Sequence, residues 1–197
     1  RAWGNFTEGV SNVVAQMTGS QKEWQMKVYS AFKKAGFSEQ QSRILTAEIG
    51  RENSYNPKIM FGGHADPHSG KNLGMLSWQG ARTPKLVAFL QQAGVLDKSG
   101  NMIPGQAALD GQAKFIMWEM NNTHKKAAAE FLANPNIDYA KGAYIVGKKY
   151  ILWRIDDPKY GPAGKKNRDS FYNMLVKQLG GGAKADTTTT TPPAVAP

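Results

Sequence analysis

Cysteine is absent from all 197 residues. Its absence excludes a disulfide framework, a thiol nucleophile and every thiolate-bound zinc or iron–sulfur centre. Histidine is scarce, with three in the chain. Long apolar runs are missing too: none approaches the roughly 18–20 residues that a membrane-crossing helix needs, and Arg1–Thr18 carries no apolar signal-peptide core. Acidic residues are outnumbered, 15 against 25 Lys and Arg, for a net charge of +10. That imbalance directs the chain toward an anionic partner: nucleic acid, a membrane surface or an acidic polymer such as cell wall. The length predicts one domain, or one domain with appendages, large enough to bury a core without staples.

What is present divides the chain in two. Residues 180–197 combine a glycine cluster, a threonine run and a Pro/Ala stretch. Such a segment buries too little apolar surface to offset its ordering entropy, and reads as a flexible linker or a C-terminal tail. A linker that stops at Pro197 predicts attachment to a larger parent protein or virion. Lys184 and Asp186 cancel, so the whole positive charge belongs to residues 1–179.

Residues 1–179 read as α+β, predominantly helical. Gln21–Ala35 places Trp24, Val28, Phe32 and Ala35 at helical spacing and stops at Gly36. Ser38 with Gln41 is a capping-box pair, opening a helix through Ile44, Leu45 and Ile49 toward Glu52. Thr83-Pro84 predicts an N-cap and first helical residue for a helix running to Gly94. Gln106–Asn121, Ala127–Leu132, Asp138–Trp153 and Arg168–Leu179 are further helices. Between Asn53 and Arg82, glycines and Pro67 punctuate short apolar pieces, which predicts a Gly-rich loop with a small β-hairpin. Function concentrates on such insertions.

The chemistry points to Ala47–Pro57. Glu48 and Glu52 are four residues apart and share a helix face. Glu52 falls in the last turn, where the negative end of the helix dipole and partial burial both favour the protonated carboxyl. A carboxylic acid that stays protonated near neutral pH is what glycoside cleavage requires. Glu52-Asn53-Ser54-Tyr55-Asn56-Pro57 resembles the Glu-Ser-x-Phe-Asn-Pro motif of lytic transglycosylases and phage tail lysozymes. About twenty residues on, Gly74-Met75-Leu76-Ser77-Trp78-Gln79-Gly80-Ala81-Arg82 resembles the Gly-x-x-Gln-Trp-x-Gly-x-Arg stretch of the phage tail lysozymes. Gln112–Met120 is similar to that family's later helix, with its Gln-x-x-Phe…Glu pattern. Asn53 replaces the usual serine and Ser77 stands where glutamine is common.

The resemblance implies a lysozyme-like fold with the hairpin insertion after the helix of the catalytic glutamate. It implies a peptidoglycan glycosidase, a muramidase or a lytic transglycosylase, with Glu52 as the acid and no cofactor. A second carboxylate in the Glu-x8-Asp arrangement would stand near position 61, which is Phe61; the nearest candidate is Asp66. With Asp66, hydrolysis by two carboxylates follows. Without it, Glu52 alone acts as acid and then base, toward an anhydro product. Tyr55, Asn56, Ser77, Trp78, Gln79 and Arg82 are the expected substrate-binding residues: aromatic faces for sugars, and an arginine for the carboxylates of peptidoglycan. Trp78 has core packing as its alternative and Arg82 a structural role.

His64, Asp66 and His68 raise the question of a metal, but only His124 remains elsewhere and the Pro-containing loop has no zinc-helix geometry, so no metal is assigned. Between Lys141 and Ser170, Lys141, Lys148, Lys149, Arg154, Lys159, Lys165, Lys166 and Arg168 form a basic stretch, with Asp156, Asp157 and Asp169 among them. It suits adhesion to an anionic wall, nucleic acid or simple solubility. The expected partner is the peptidoglycan polymer, met by a phage tail lysozyme in the bacterial periplasm or by a secreted effector; the isolated domain is expected to be monomeric. The alternatives are a non-catalytic glycan-binding module and a basic nucleic-acid-binding virion protein.

Overall fold

The computed structural model describes residues 19–66 and 70–180. The expected linker at 180–197 lies outside them apart from Gly180, as do Arg1–Thr18. Helix α1 (Gly19–Lys34) is followed by α2 (Glu39–Asn53), the short α3 (Pro57–Met60), strands β1 (Gly63–Asp66) and β2 (Gly70–Leu73), α4 (Arg82–Gln92), α5 (Gln106–Asn121) and α6 (Lys125–Ala133). Then come α7 (Tyr139–Ile145), a π-helical segment (Val146–Ile151) and α8 (Gly161–Gln178). The two strands pair antiparallel, Gly63 opposite Leu73 and Asp66 opposite Gly70.

Helix α2 is the axis of the domain. Its capping box is complete: Ser38 Oγ accepts from the Gln41 N–H at 3.0 Å, and Gln41 Oε1 accepts from the Ser38 N–H at 2.9 Å. From Ile44 through Asn53 every residue is buried, because α1, α7 and α8 all pack around α2. The contact with α8 is close enough to demand glycine at position 50, where a Cβ would lie 2.7 Å from the Phe171 ring and from the Tyr55 hydroxyl. Helix α1 also packs on α5, and α5 carries α4 and α6.

Three elements depart from the sequence expectation. The helix expected to start at Thr83 begins at Arg82, and Thr83 does not cap it; its hydroxyl donates to the Trp78 carbonyl at 3.1 Å. Asp138 caps α7 as an Asp should, but the helix gives way to π geometry from Val146. At Gly147 a Cβ would meet the Trp153 indole nitrogen at 2.6 Å, so the widened turn lets Trp153 fold back against the backbone. The last helix starts at Gly161, seven residues before Arg168, with Pro162 in its first turn.

A buried carboxylate joins the elements of the second half. Glu119, 1 % exposed, accepts hydrogen bonds from the Trp78 indole at 3.0 Å, the Tyr150 hydroxyl at 2.6 Å and both arms of the Arg82 guanidinium at 2.8 Å. Burial by itself would raise the Glu119 carboxyl, but Arg82, Tyr150 and Trp78 overcome it and hold the group below the usual carboxylate range. His124 Nδ1 stands 3.8 Å away. Burial and the Arg82 charge push the imidazole down from its ordinary value, so at neutral pH this contact involves a neutral ring and is no ion pair. Glu119→Gln turns an amide N–H₂ toward the Arg82 donors and strips the charge they pair with. It is expected to cost about 3 kcal/mol of unfolding free energy, read by urea denaturation. The sign of the pH dependence follows from the depressed carboxyl: its contribution is complete above the unfolded-state value and is lost as pH falls through the folded one. Stability of the natural chain should therefore drop on acidification more steeply than that of the variant.

Candidate functional site

The site grows from the C-terminal end of α2. After Asn53 the chain takes two successive left-handed residues, Ser54 (φ 55°) and Tyr55 (φ 58°), neither of them glycine. Such conformations cost of order 1 kcal/mol each and persist only where neighbours enforce them. Here the Tyr55 N–H donates to Asn53 Oδ1 at 2.9 Å. The Tyr55 hydroxyl donates to the Thr46 carbonyl at 2.9 Å and accepts from Gln25 at 2.9 Å. Asn56 then caps α3 through its side chain, with Pro57 next.

The turn is laced to the Gly74–Arg82 loop through the backbone of one residue, Met75. Asn53 Nδ2 donates to the Met75 carbonyl at 3.0 Å, and the Met75 N–H donates to Gln112 Oε1 at 2.7 Å. Gln112 Nε2 donates in turn to the Met60 carbonyl at 3.1 Å. Gly74 (φ +79°) makes room for this: a Cβ there would sit 2.6 Å from Gln112 Oε1 and 3.0 Å from the Trp78 ring. Asn53, which stands in place of the family's usual serine, is thus the residue that ties the two motifs together.

Glu48 and Glu52 share a face but not an environment. Glu48 is fully buried, whereas Glu52, also buried, keeps 6 % exposure. Between them lies Arg51, 1 % exposed, whose Nε donates to Glu48 at 2.9 Å and whose terminal nitrogen donates to Glu52 Oε2 at 3.3 Å. The Arg51 guanidinium lies over the Trp153 ring at 4.2 Å. On the far side, Arg168 of α8 approaches Glu48 Oε1 at 3.8 Å and bonds Tyr139 and Asp169. Burial opposes the Arg168 charge, yet Tyr139, Glu48 and Asp169 keep its proton held more tightly than usual.

The expected substrate-binding residues separate into two groups. Tyr55 and Trp78 face the interior, both rings 1 % exposed, and Arg82, part-buried at 22 % exposure, is committed to Glu119. Burial pushes the Tyr55 phenol up from its ordinary value. Ser77 is buried in a left-handed conformation (φ 51°). Asn56 is exposed and Gln79 partly so. Asp66 closes β1 by its backbone, while its side chain, that of His64, and His68 altogether lie outside the described residues. Beside the turn opens a pocket of about 340 Å³, floored by Asn53 and Tyr55 and walled by Gln21, Trp24 and Asn56.

Sequence reasoning gave no role to Arg51, Trp153, Gln112 or Glu119. The last two had a visible signal: they lie seven apart, on one face of a helix that is otherwise apolar there. Arg51 and Trp153 are distant in sequence and meet only in the fold. The basic stretch is exposed except at Arg168, and part of it is paired with carboxylates. Arg168 is internal, Lys141 pairs with Glu130 at 2.9 Å and Lys148 with Asp156 at 2.9 Å, while Lys149, Lys165 and Lys166 face solvent.

Among the described residues no helix is long and apolar enough to cross a membrane. No curated protein and no solved structure matches the chain. The phage tail lysozyme family profile matches residues 23–150, well over half of the chain. That span holds the Glu52 turn, the Gly74–Arg82 loop and the polar face of α5, which are the parts that the Met75 backbone and Glu119 bind to one another. The chain therefore belongs to the phage tail lysozyme family, a family of peptidoglycan-lytic domains, and has its predominantly helical, lysozyme-like fold.

Proposed function

We propose that the chain cleaves the glycan strand of peptidoglycan with Glu52 as general acid, as the lytic domain of a phage tail protein. One observation supports this reading: of Glu48 and Glu52 on the α2 face, Glu52 alone retains any exposure, 6 %, at the end of the helix that leads into the Gly-rich segment. Glu48, sealed inside, has no access to a polymer. A protonated Glu52 donates to the glycosidic oxygen as the bond to the anomeric carbon breaks, and the resulting carboxylate is then placed to act as base. The base step takes one of two routes. Water attacks with Asp66 as the partner carboxylate, or the sugar's own hydroxyl closes an anhydro ring with Glu52 alone.

Asn56 and Gln79 contact the substrate directly in this reading. Tyr55, Ser77, Trp78 and Arg82 act from beneath, by holding the turn and loop in place. The exposed Lys149, Lys165 and Lys166 favour residence on an anionic wall. The family match supports a phage virion as the place of action, and the +10 charge is compatible with a wall substrate.

Glu52→Gln should reduce clearing of purified peptidoglycan by a factor on the order of 10²–10⁴ with an unaltered circular dichroism spectrum. A fully active variant would overturn the assignment. Asp66→Asn separates the two routes. A loss comparable to that of Glu52→Gln, with reducing ends in the muropeptide mass spectra, supports the two-carboxylate route; near-silence with anhydro ends supports the single-acid route. Wall binding by Glu52→Gln, measured in a pull-down with insoluble peptidoglycan, should fall as salt rises from low to several hundred millimolar, since screening shortens the reach of the lysines. Binding indifferent to salt would assign those charges to solubility.

A further inference from the structure

The buried cluster behind Glu52 takes no part in the proton transfer as described, yet it is built around the acid. Arg51 donates to Glu48 at 2.9 Å and to Glu52 at 3.3 Å. Neither Glu48 nor Arg51 is exposed by more than 1 %, so neither touches a polymer. The fork is held flat by Trp153, 4.2 Å from the guanidinium carbon. Trp153 is itself delivered by an irregular piece of backbone: the π segment, then Leu152 at φ 65°, then a hydrogen bond from the Trp153 N–H to the Gly147 carbonyl at 3.1 Å.

We propose that Arg51 is a positioning residue for Glu52, and that Glu48 controls how much of the Arg51 charge Glu52 experiences. This rests on Glu52 being the general acid. A guanidinium 3.3 Å from a carboxyl favours the ionised form, which is the wrong state for a proton donor. Arg51 is useful there because it fixes the orientation of the carboxyl, but its charge works against the chemistry. Glu48 resolves the conflict: it takes the shorter of the two bonds and offsets the positive charge from behind. Arg168 of α8, 3.8 Å from the other Glu48 oxygen and bonded to Asp169, meets Glu48 from the far side. Among the described residues, the charged groups of the cluster include Glu48, Arg51 and Glu52 from α2, and Arg168 with Asp169 from α8. The Asp66 side chain lies outside the described residues.

The test is the titration of the Glu52 side-chain carboxyl by ¹³C NMR on the full 197-residue chain, assigned by comparison with Glu52→Gln. It runs alongside the pH profile of glycan cleavage. Glu48→Gln removes the carboxylate that takes the shorter of the Arg51 bonds. The titration and the basic limb of activity should both move to lower pH, by roughly one unit, which is about a tenfold loss of the protonated acid near neutrality. Adding Arg51→Gln to that variant removes the unmasked charge and should return the midpoint. Arg51→Lys retains the charge but cannot fork between two carboxylates; with the ammonium drawn to Glu48, the Glu52 midpoint should rise. A Glu52 titration that stays fixed across the variants that fold overturns the proposal, as does a Glu48→Gln shift that persists in the double variant. The NMR arm needs no substrate. Moving titrations together with a fully active Glu52→Gln would therefore sink the general-acid assignment while leaving the coupling intact.

Discussion

The Glu119 carboxylate joins the Gly74–Arg82 loop, α5 and the π segment. A charge in that position is costly to desolvate and is tolerable only because Arg82, Trp78 and Tyr150 all donate to it. Those donors come from the start of α4, from the loop before it and from the π segment. Removing any one leaves the others facing an undersatisfied buried charge. The constraint is therefore collective: the Gly74–Arg82 loop cannot drift from α5, and the π segment cannot drift from either. Through the Met75 backbone, clasped by Asn53 on one side and Gln112 on the other, the same rigidity reaches the end of α2.

This arrangement explains why a lytic domain invests so many of its signature residues in the interior. A glycan strand is long, flexible and hydrated, and an acid that must meet one oxygen along it benefits from being held still. The left-handed turn at Ser54 and Tyr55 is the strained part of that mounting. Its conformation is enforced by Asn53, Gln25 and Thr46, partners that sit within the core and so do not compete with substrate. The residues most similar to the family motif are in this view the scaffold of the site more than its lining.

The second buried charge cluster has a different character. Around Glu119 the donors outnumber the acceptor and the result is one strongly held carboxylate. Around Glu52, acids and arginines alternate, Glu52, Arg51, Glu48, Arg168 and Asp169, each neighbour offsetting the last. The same residue types thus build two different clusters, one converging on a single carboxylate and one alternating in charge.

Much of the fold was legible in the residues alone. The Ser38–Gln41 box, the amphipathic run of Gln106–Asn121 and the Gly-rich break after Asn53 are local signals, set by hydrogen bonds and periodicity within a few residues, and α2 and α5 follow them. Glu52 as the candidate acid was legible for the same reason, from helix position and neighbouring motif. What the sequence could not determine was which side chains of that motif face inward. Tyr55, Trp78 and Arg82 read equally well as sugar contacts or core, because an aromatic ring or a guanidinium serves both ends, and the choice belongs to partners 30 to 41 residues away. The π segment was beyond local reading as well, since it exists to bring Trp153 beneath Arg51, a contact between residues that local sequence does not relate. Local backbone preferences determined the helices and the place of Glu52; long-range burial of charge decided what surrounds it.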